Sequence, residues 1–150
     1  MLNINDVVEA LAGMIGEYFP DETVYQNRTP TDFVRPSFLV EAGAVQMSDA
    51  SSDCVDINAQ FVVTTFVETD EYYNSHIPEL RRRMMAVQEL LAVGYLKVGG
   101  RYLHISGNMG EPFFDYAEIK LTLSYQDDRP GGEDWPLMGE VQTKWGPPQG

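Results

Sequence analysis

Between Val55 and Glu68 the chain alternates with a period of two: Val55, Ile57, Ala59, Phe61, Val63, Thr65 and Val67 fall in one set, Asp56, Asn58, Gln60, Val62, Thr64, Phe66 and Glu68 in the other. Only an extended strand places residues two apart on one face. The first set is apolar except for Thr65, and the second turns apolar at Val62 and Phe66. One face is therefore buried throughout and the other only near its end, the pattern of a long central strand.

The flanking segments supply what such a strand needs. Leu2 to Phe19 carries Ile4, Val7, Val8, Leu11, Met14, Ile15, Tyr18 and Phe19 at helical spacing, with Asn3 or Asn5 available as cap and Pro20 as stop. A short strand is expected at Thr23 to Tyr25 and a second at Phe38 to Ala42, where Gly43 marks a bulge or an end. Met47 to Asp53 is small and polar and is expected to be the turn into the central strand. A second helix is expected over Ile77 to Val93, striped by Ile77, Leu80, Met84, Val87 and Leu91, with Met85 and Leu90 beside the stripe; Asn74 or Ser75 is the N-cap and Gly94 the C′ residue. Tyr95 to Val98 and Arg101 to Ser106 flank Gly99-Gly100 as a hairpin, and Gly107 to Gly110 reads as a loop. Ala117 to Tyr125 alternates again as a last strand. The sum is an α+β fold, a mainly antiparallel sheet with two amphipathic helices packed on one face. Phe61, Val63, Leu80, Met84, Leu91, Leu11, Ile119 and Leu121 are expected to share its core.

From Asp127 the composition shifts to Pro and Gly, which divides the chain into a domain over 1–126 and an extended C-terminal arm over 127–150. Trp135, Leu137, Met138, Val141 and Trp145 give this arm anchors of the kind that dominate interfaces, so it is expected to dock on an adjacent subunit or a connecting protein, the alternative being a tail folded against its own sheet.

Net charge is −13, which opposes gripping of DNA phosphates. A lone cysteine, Cys54, leaves no internal disulfide, and neither a secretory signal nor an apolar run near the roughly 18 residues of a membrane span is expected. No nucleophile elbow, metal-ligand spacing or dinucleotide fingerprint is present, so no catalytic residue, metal or cofactor is expected. His104-Ile105-Ser106 has the H-x-[ST] form of two-histidine phosphoesterases, but it occurs once. The alternative to an interaction protein is therefore a small phosphoesterase-like enzyme using His104.

Charge is unevenly placed. No Lys or Arg occurs between Pro36 and Leu80, where Glu41, Asp49, Asp53, Asp56, Glu68, Asp70, Glu71 and Glu79 fall, and then Arg81, Arg82 and Arg83 arrive together. Solvated surface explains such runs as readily as a self-complementary head-to-tail contact does. On the second reading, Arg81, Arg82 and Arg83 of one subunit meet Asp53, Asp56, Glu68 and Asp70 of the next.

The order of elements and several local stretches resemble the tail terminator proteins of long-tailed bacteriophages and prophages. The stretches are Asn5 to Leu11, Tyr18-Phe19-Pro20 followed by Val24-Tyr25, Arg35 to Val40, the long strand ending at Phe66, the helix Leu80 to Leu91 and the strand Ala117 to Tyr125. The arginine triplet departs from the pattern, and the Trp-containing arm lies outside it. The resemblance implies a structural virion protein, not an enzyme. It further implies a homo-oligomeric ring, often a hexamer, assembled in the host cytoplasm and seated at the head-proximal end of the virion tail. There it stops tube polymerisation and joins the tail tube protein to the head-tail connector, while DNA passes without specific binding. Other head-tail adaptors and tube proteins share related folds.

Overall fold

A computed structural model describes residues 1–68 and 77–129. The elements in chain order are α1 (Ile4–Tyr18), β1 (Thr23–Gln26), β2 (Ser37–Asp49), β3 (Cys54–Phe66), α2 (Ile77–Leu90), β4 (Tyr95–Val98), β5 (Arg101–Pro112) and β6 (Tyr116–Asp128). They form a six-stranded sheet in the order β1-β2-β3-β6-β5-β4. Only β1 with β2 is parallel; every other neighbouring pair is antiparallel.

The alternation that opens the sequence is realised in β3, which lies between β2 and β6 with Phe61 opposite both Ala42 and Leu121. Its apolar set faces the helices. Val7, Val8, Leu11 and Ile15 of α1, Val87 of α2 and Leu91 just after it join Phe38, Val40, Ile57, Ala59, Phe61, Val63, Ile119, Leu121 and Leu123 in one buried cluster. Both helices thus cover the same sheet face, as the amphipathic stripes require. Leu80 is the exception among the expected core residues: it packs with Val67 and Ala117 in a small separate cluster, and Met84 bridges the two. The start of α2 thus packs at the end of the sheet, on Val67 just past β3 and Ala117 near the start of β6. Met85 turns outward and is 53% exposed.

Asn3 caps α1, its side chain accepting from the Asn5 amide. Gly94 closes α2 with a φ of +99°, a backbone state that glycine adopts without a Cβ penalty.

Three strands run further than their hydrophobic pattern. β2 continues past a bulge at Gly43-Ala44 to Asp49, so the turn spans only residues 50–53; both faces of its outer half are exposed, which removes any alternation to read. β5 extends through the stretch expected as a loop, because Gly107 to Pro112 pair with β6 down to Ala117. Gly110 belongs there for a steric reason. A Cβ at this position would come within 2.8 Å of Gln88 Oε1 and 2.9 Å of Met84 Sδ, so glycine lets α2 lie close against the strand. β6 continues to Asp128, which pairs with Cys54.

Candidate functional site

Three arginines, the buried Arg83 and the partly buried Arg35 and Arg129, fasten distant parts of the subunit and take up part of its charge. In α2, position 83 lies three residues after Leu80 and four before Val87, on the buried stripe. Arg83 is accordingly 4% exposed. Its guanidinium forms a bidentate pair with Glu22 at 2.6 Å for both contacts, donates through Nε to Thr65 Oγ1 at 2.9 Å and reaches the Ser37 carbonyl at 3.4 Å. It also lies over the Phe38 ring, 4.6 Å from the centroid. Thr65, the one polar member of the inner β3 set, is there to receive it. The triplet is therefore divided: Arg83 has its partners inside the subunit, while the expected interface role falls to Arg81 and Arg82. Arg81 and Arg82 are exposed, with Arg82 paired to Glu79 one turn earlier on the same helix.

The expected acidic patch is also divided. Asp53 is exposed in the β2–β3 turn and Asp56 half-buried near the start of β3, whereas Glu68 follows the end of that strand. At about 3.3 Å per residue, the length of β3 separates them by roughly 40 Å. Arg81 and Arg82 lie at the Glu68 end, because the first turns of α2 pack on Val67 and Thr65. Asp70, Trp135, Leu137, Met138 and Trp145 lie outside the described residues.

The two ends of the sheet differ in chemistry. At the Glu68 end, Arg35 donates to the carbonyls of Val67 (2.9 Å) and Asp115 (3.2 Å), pairs with the Asp115 carboxylate (3.0 Å) and lies over Phe33 and Phe66. This fastens a row of rings, Tyr25, Phe33, Phe66, Tyr116 and Phe113, in successive contact across the sheet end. Phe114 and Val34, at 57% and 53% exposure, extend it as an apolar surface. The opposite end is polar. There Arg129 donates to the carbonyls of Ser51, Ser52 and Cys54 and pairs with Asp49 at 2.9 Å, clamping the β2–β3 turn to the end of β6.

Beside that clamp, Asp127 is buried; it accepts the Leu2 amide at 2.7 Å and the Asp128 amide at 2.8 Å and pairs with Arg101 at 3.1 Å. Burial alone would raise its pKa, but the two amides and Arg101 outweigh burial and hold the carboxyl below its ordinary value. A carboxylate with a lowered folded-state pKa stabilises the fold above its unfolded pKa, and that contribution is lost as pH falls through the folded value. Asp127→Asn is therefore expected to be less stable than the parent at neutral pH, with the difference shrinking in acid. Denaturant midpoints at pH 7 and near pH 3 check this; a constant difference would show that the charge of Asp127 does not contribute.

His104 stands exposed on the open sheet face, opposite Ser124. Its surroundings are a polar ladder in which Ser106 and Ser124 hydroxyls are 2.8 Å apart and Ser124 donates to Asn58 Oδ1 at 2.6 Å. Among the described residues no group of His, Cys, Asp and Glu side chains is arranged to hold a metal ion, and no helix is long and apolar enough to cross a membrane.

The arginine staples escape sequence reading because their partners are distant in the chain, but Thr65 within an apolar set and Arg83 on an apolar stripe were signals of a buried polar contact. No curated protein matches the chain. A family model described as phage tail terminator protein matches residues 6–123, the whole of the described α+β unit apart from its ends. The chain belongs to the phage tail terminator family, a family of structural proteins of the phage tail.

Proposed function

We propose that this chain forms a closed ring, a hexamer, that caps the head-proximal end of the tail tube and joins it to the head connector. Family membership carries the reading, and the polarity of the sheet supports it. A terminator meets a different neighbour on each rim, and one end of this subunit is an exposed aromatic surface while the other is a clamped polar turn. Net charge of −13 suits a channel wall past which DNA slides, since it repels phosphates and offers few cations to replace their counterions. His104, without a second histidine beside it in the H-x-[ST] form, lends nothing comparable to the enzyme reading.

Within the ring, Arg81 and Arg82 face acids at the same end of the neighbouring subunit, Glu68 or Asp21 among them, while Asp53 and Asp56 belong to the opposite rim. The segment after Arg129, with Trp135, Leu137, Met138 and Trp145, docks on the adjacent subunit or the connector. Exposed ion pairs contribute only about 0–1 kcal/mol each, so they select register while apolar contacts supply most of the affinity. Native mass and sedimentation should show one closed multiple of 16.9 kDa, which Arg81→Glu with Arg82→Glu weakens and added salt weakens further. A monomer at every concentration would refute the ring.

A further inference from the structure

The sheet has stepped edges. On one side β1 covers only Ser37 to Val40 of β2, leaving Glu41 to Asp49 without a strand neighbour among the described residues; on the other, β4 covers only Arg101 to His104 of β5, leaving Gly107 to Pro112 without one among them, where Gln88 Nε2 donates to the Asn108 carbonyl at 3.4 Å. The steps are at opposite ends. Ser37 is in register with Phe66 and Asp49 with Val55, while His104 aligns with Ser124 and, through it, with Asn58. Thus β1 projects at the aromatic end and β4 at the clamped-turn end, and each recess lies at the same end as the projection that would fill it, on the opposite edge of the sheet.

We infer that subunits join by interlocking these steps, β4 of one copy entering the β2 recess of the next and β1 of that next copy entering the β5 recess of the first. This rests on the ring reading and specifies its contact. Strand directions permit it under cyclic symmetry: β1, β2, β6 and β4 run one way and β3 and β5 the other, so β4 meets β2 in parallel and β1 meets β5 antiparallel.

Three observations favour a second copy as occupant. The Val40 carbonyl accepts the Asn27 amide on the β1 side, and with two residues, Gly43 and Ala44, opposite Gln60, the same alternation turns the backbone groups of Val45 and Met47 outward along the recess. That recess carries no Lys or Pro, so its guard against stray pairing is the bulge at Gly43-Ala44, and Val45 to Asp49 beyond the bulge stay in regular register with β3. Its helix-side face exposes Val45 (38%) and Met47 (54%), and the other recess exposes Met109 (58%), apolar groups where each incoming strand would lie. Charge agrees as well. β4 presents Lys97 to a strand bearing Glu41 and Asp49, and Asp21 beside β1 lies at the same end as Arg81 and Arg82.

Disulfide trapping tests this in a Cys54→Ser background. Gln46, Ser48 and Lys97 share the open sheet face and are exposed. Lys97→Cys combined with Gln46→Cys or with Ser48→Cys should, on oxidation, give a ladder of covalent multimers in one of the two pairs, while each single variant stays monomeric on a denaturing gel. Met47→Pro removes an outward amide without touching the β3 ladder. It should leave the unfolding midpoint unchanged and raise the concentration for half-assembly about ten-fold. A covalent dimer from Gln46→Cys alone would mean that β2 pairs with β2 across a dyad, overturning the inference. So would a ring of unchanged mass that neither double variant cross-links and Met47→Pro does not weaken, although the ring itself would then stand. A wild-type protein that is monomeric would overturn the ring reading and the interlocking together.

Discussion

Arg83→Ala is expected to cost about 3–5 kcal/mol of unfolding free energy, the range for removing one partner of a buried ion pair. The guanidinium is 4% exposed and satisfies Glu22, Thr65 and the Ser37 carbonyl at once, so its loss strands three acceptors beneath α2. Glu22 retains 18% side-chain exposure and can recover some hydration, which places the expected value toward the lower end. The loss should come from the stranded carboxylate more than from the missing attraction. Arg83→Met with Glu22→Leu is therefore expected to regain most of the stability, because a packed apolar pair avoids the desolvation penalty. Urea unfolding of parent, single and double variants checks both statements; a change below about 0.5 kcal/mol for Arg83→Ala, the size of an ordinary surface substitution, would contradict them.

Phe61→Ala is expected to be comparably severe, at about 3–5 kcal/mol, through lost burial and the cavity left behind. Phe61 is 0% exposed at the centre of β3, with Ala42 and Leu121 opposite it on the two flanking strands. The packed helices limit collapse into the gap. The same urea series reads the effect. An unchanged midpoint would mean that the inner face of β3 is not the shared core.

How far the sequence disclosed this structure depended on whether a residue's neighbours impose a period. β3 and α2 were legible because one face of each is buried along nearly its whole length, so the pattern is forced. The outer half of β2 was not, since Gly43 to Asp49 is exposed on both faces and is held only by its ladder to β3. The distal half of β5 was hidden similarly, its glycines chosen by the approach of α2 and by Thr122. Arg35, Asp127 and Arg129 act across the fold, on partners up to 125 residues away in the chain in the case of Asp127 and Leu2, and local spacing carries no trace of such contacts. For the surface, the charge run marked the start of α2 but treated three arginines alike. Their helical phase, with Arg83 between Leu80 and Val87, already separated the buried one from the two exposed ones.

The dual polarity of the subunit follows from the same geometry. A long central strand puts Asp56 near one end and Phe66 at the other, so on the proposed ring the rim chemistry is set by the strand ends and the subunit contact by the sheet edges. In the ring proposed above, capping and closure use different surfaces and can be separated by mutation. The length of tail tubes grown from the cognate tube protein, with and without this chain, measures the capping directly. Tubes should stop elongating when the ring is added, and electron microscopy should find the protein at one end only. Tubes of undiminished length with no protein at their ends, or protein bound all along their sides, would contradict a terminator.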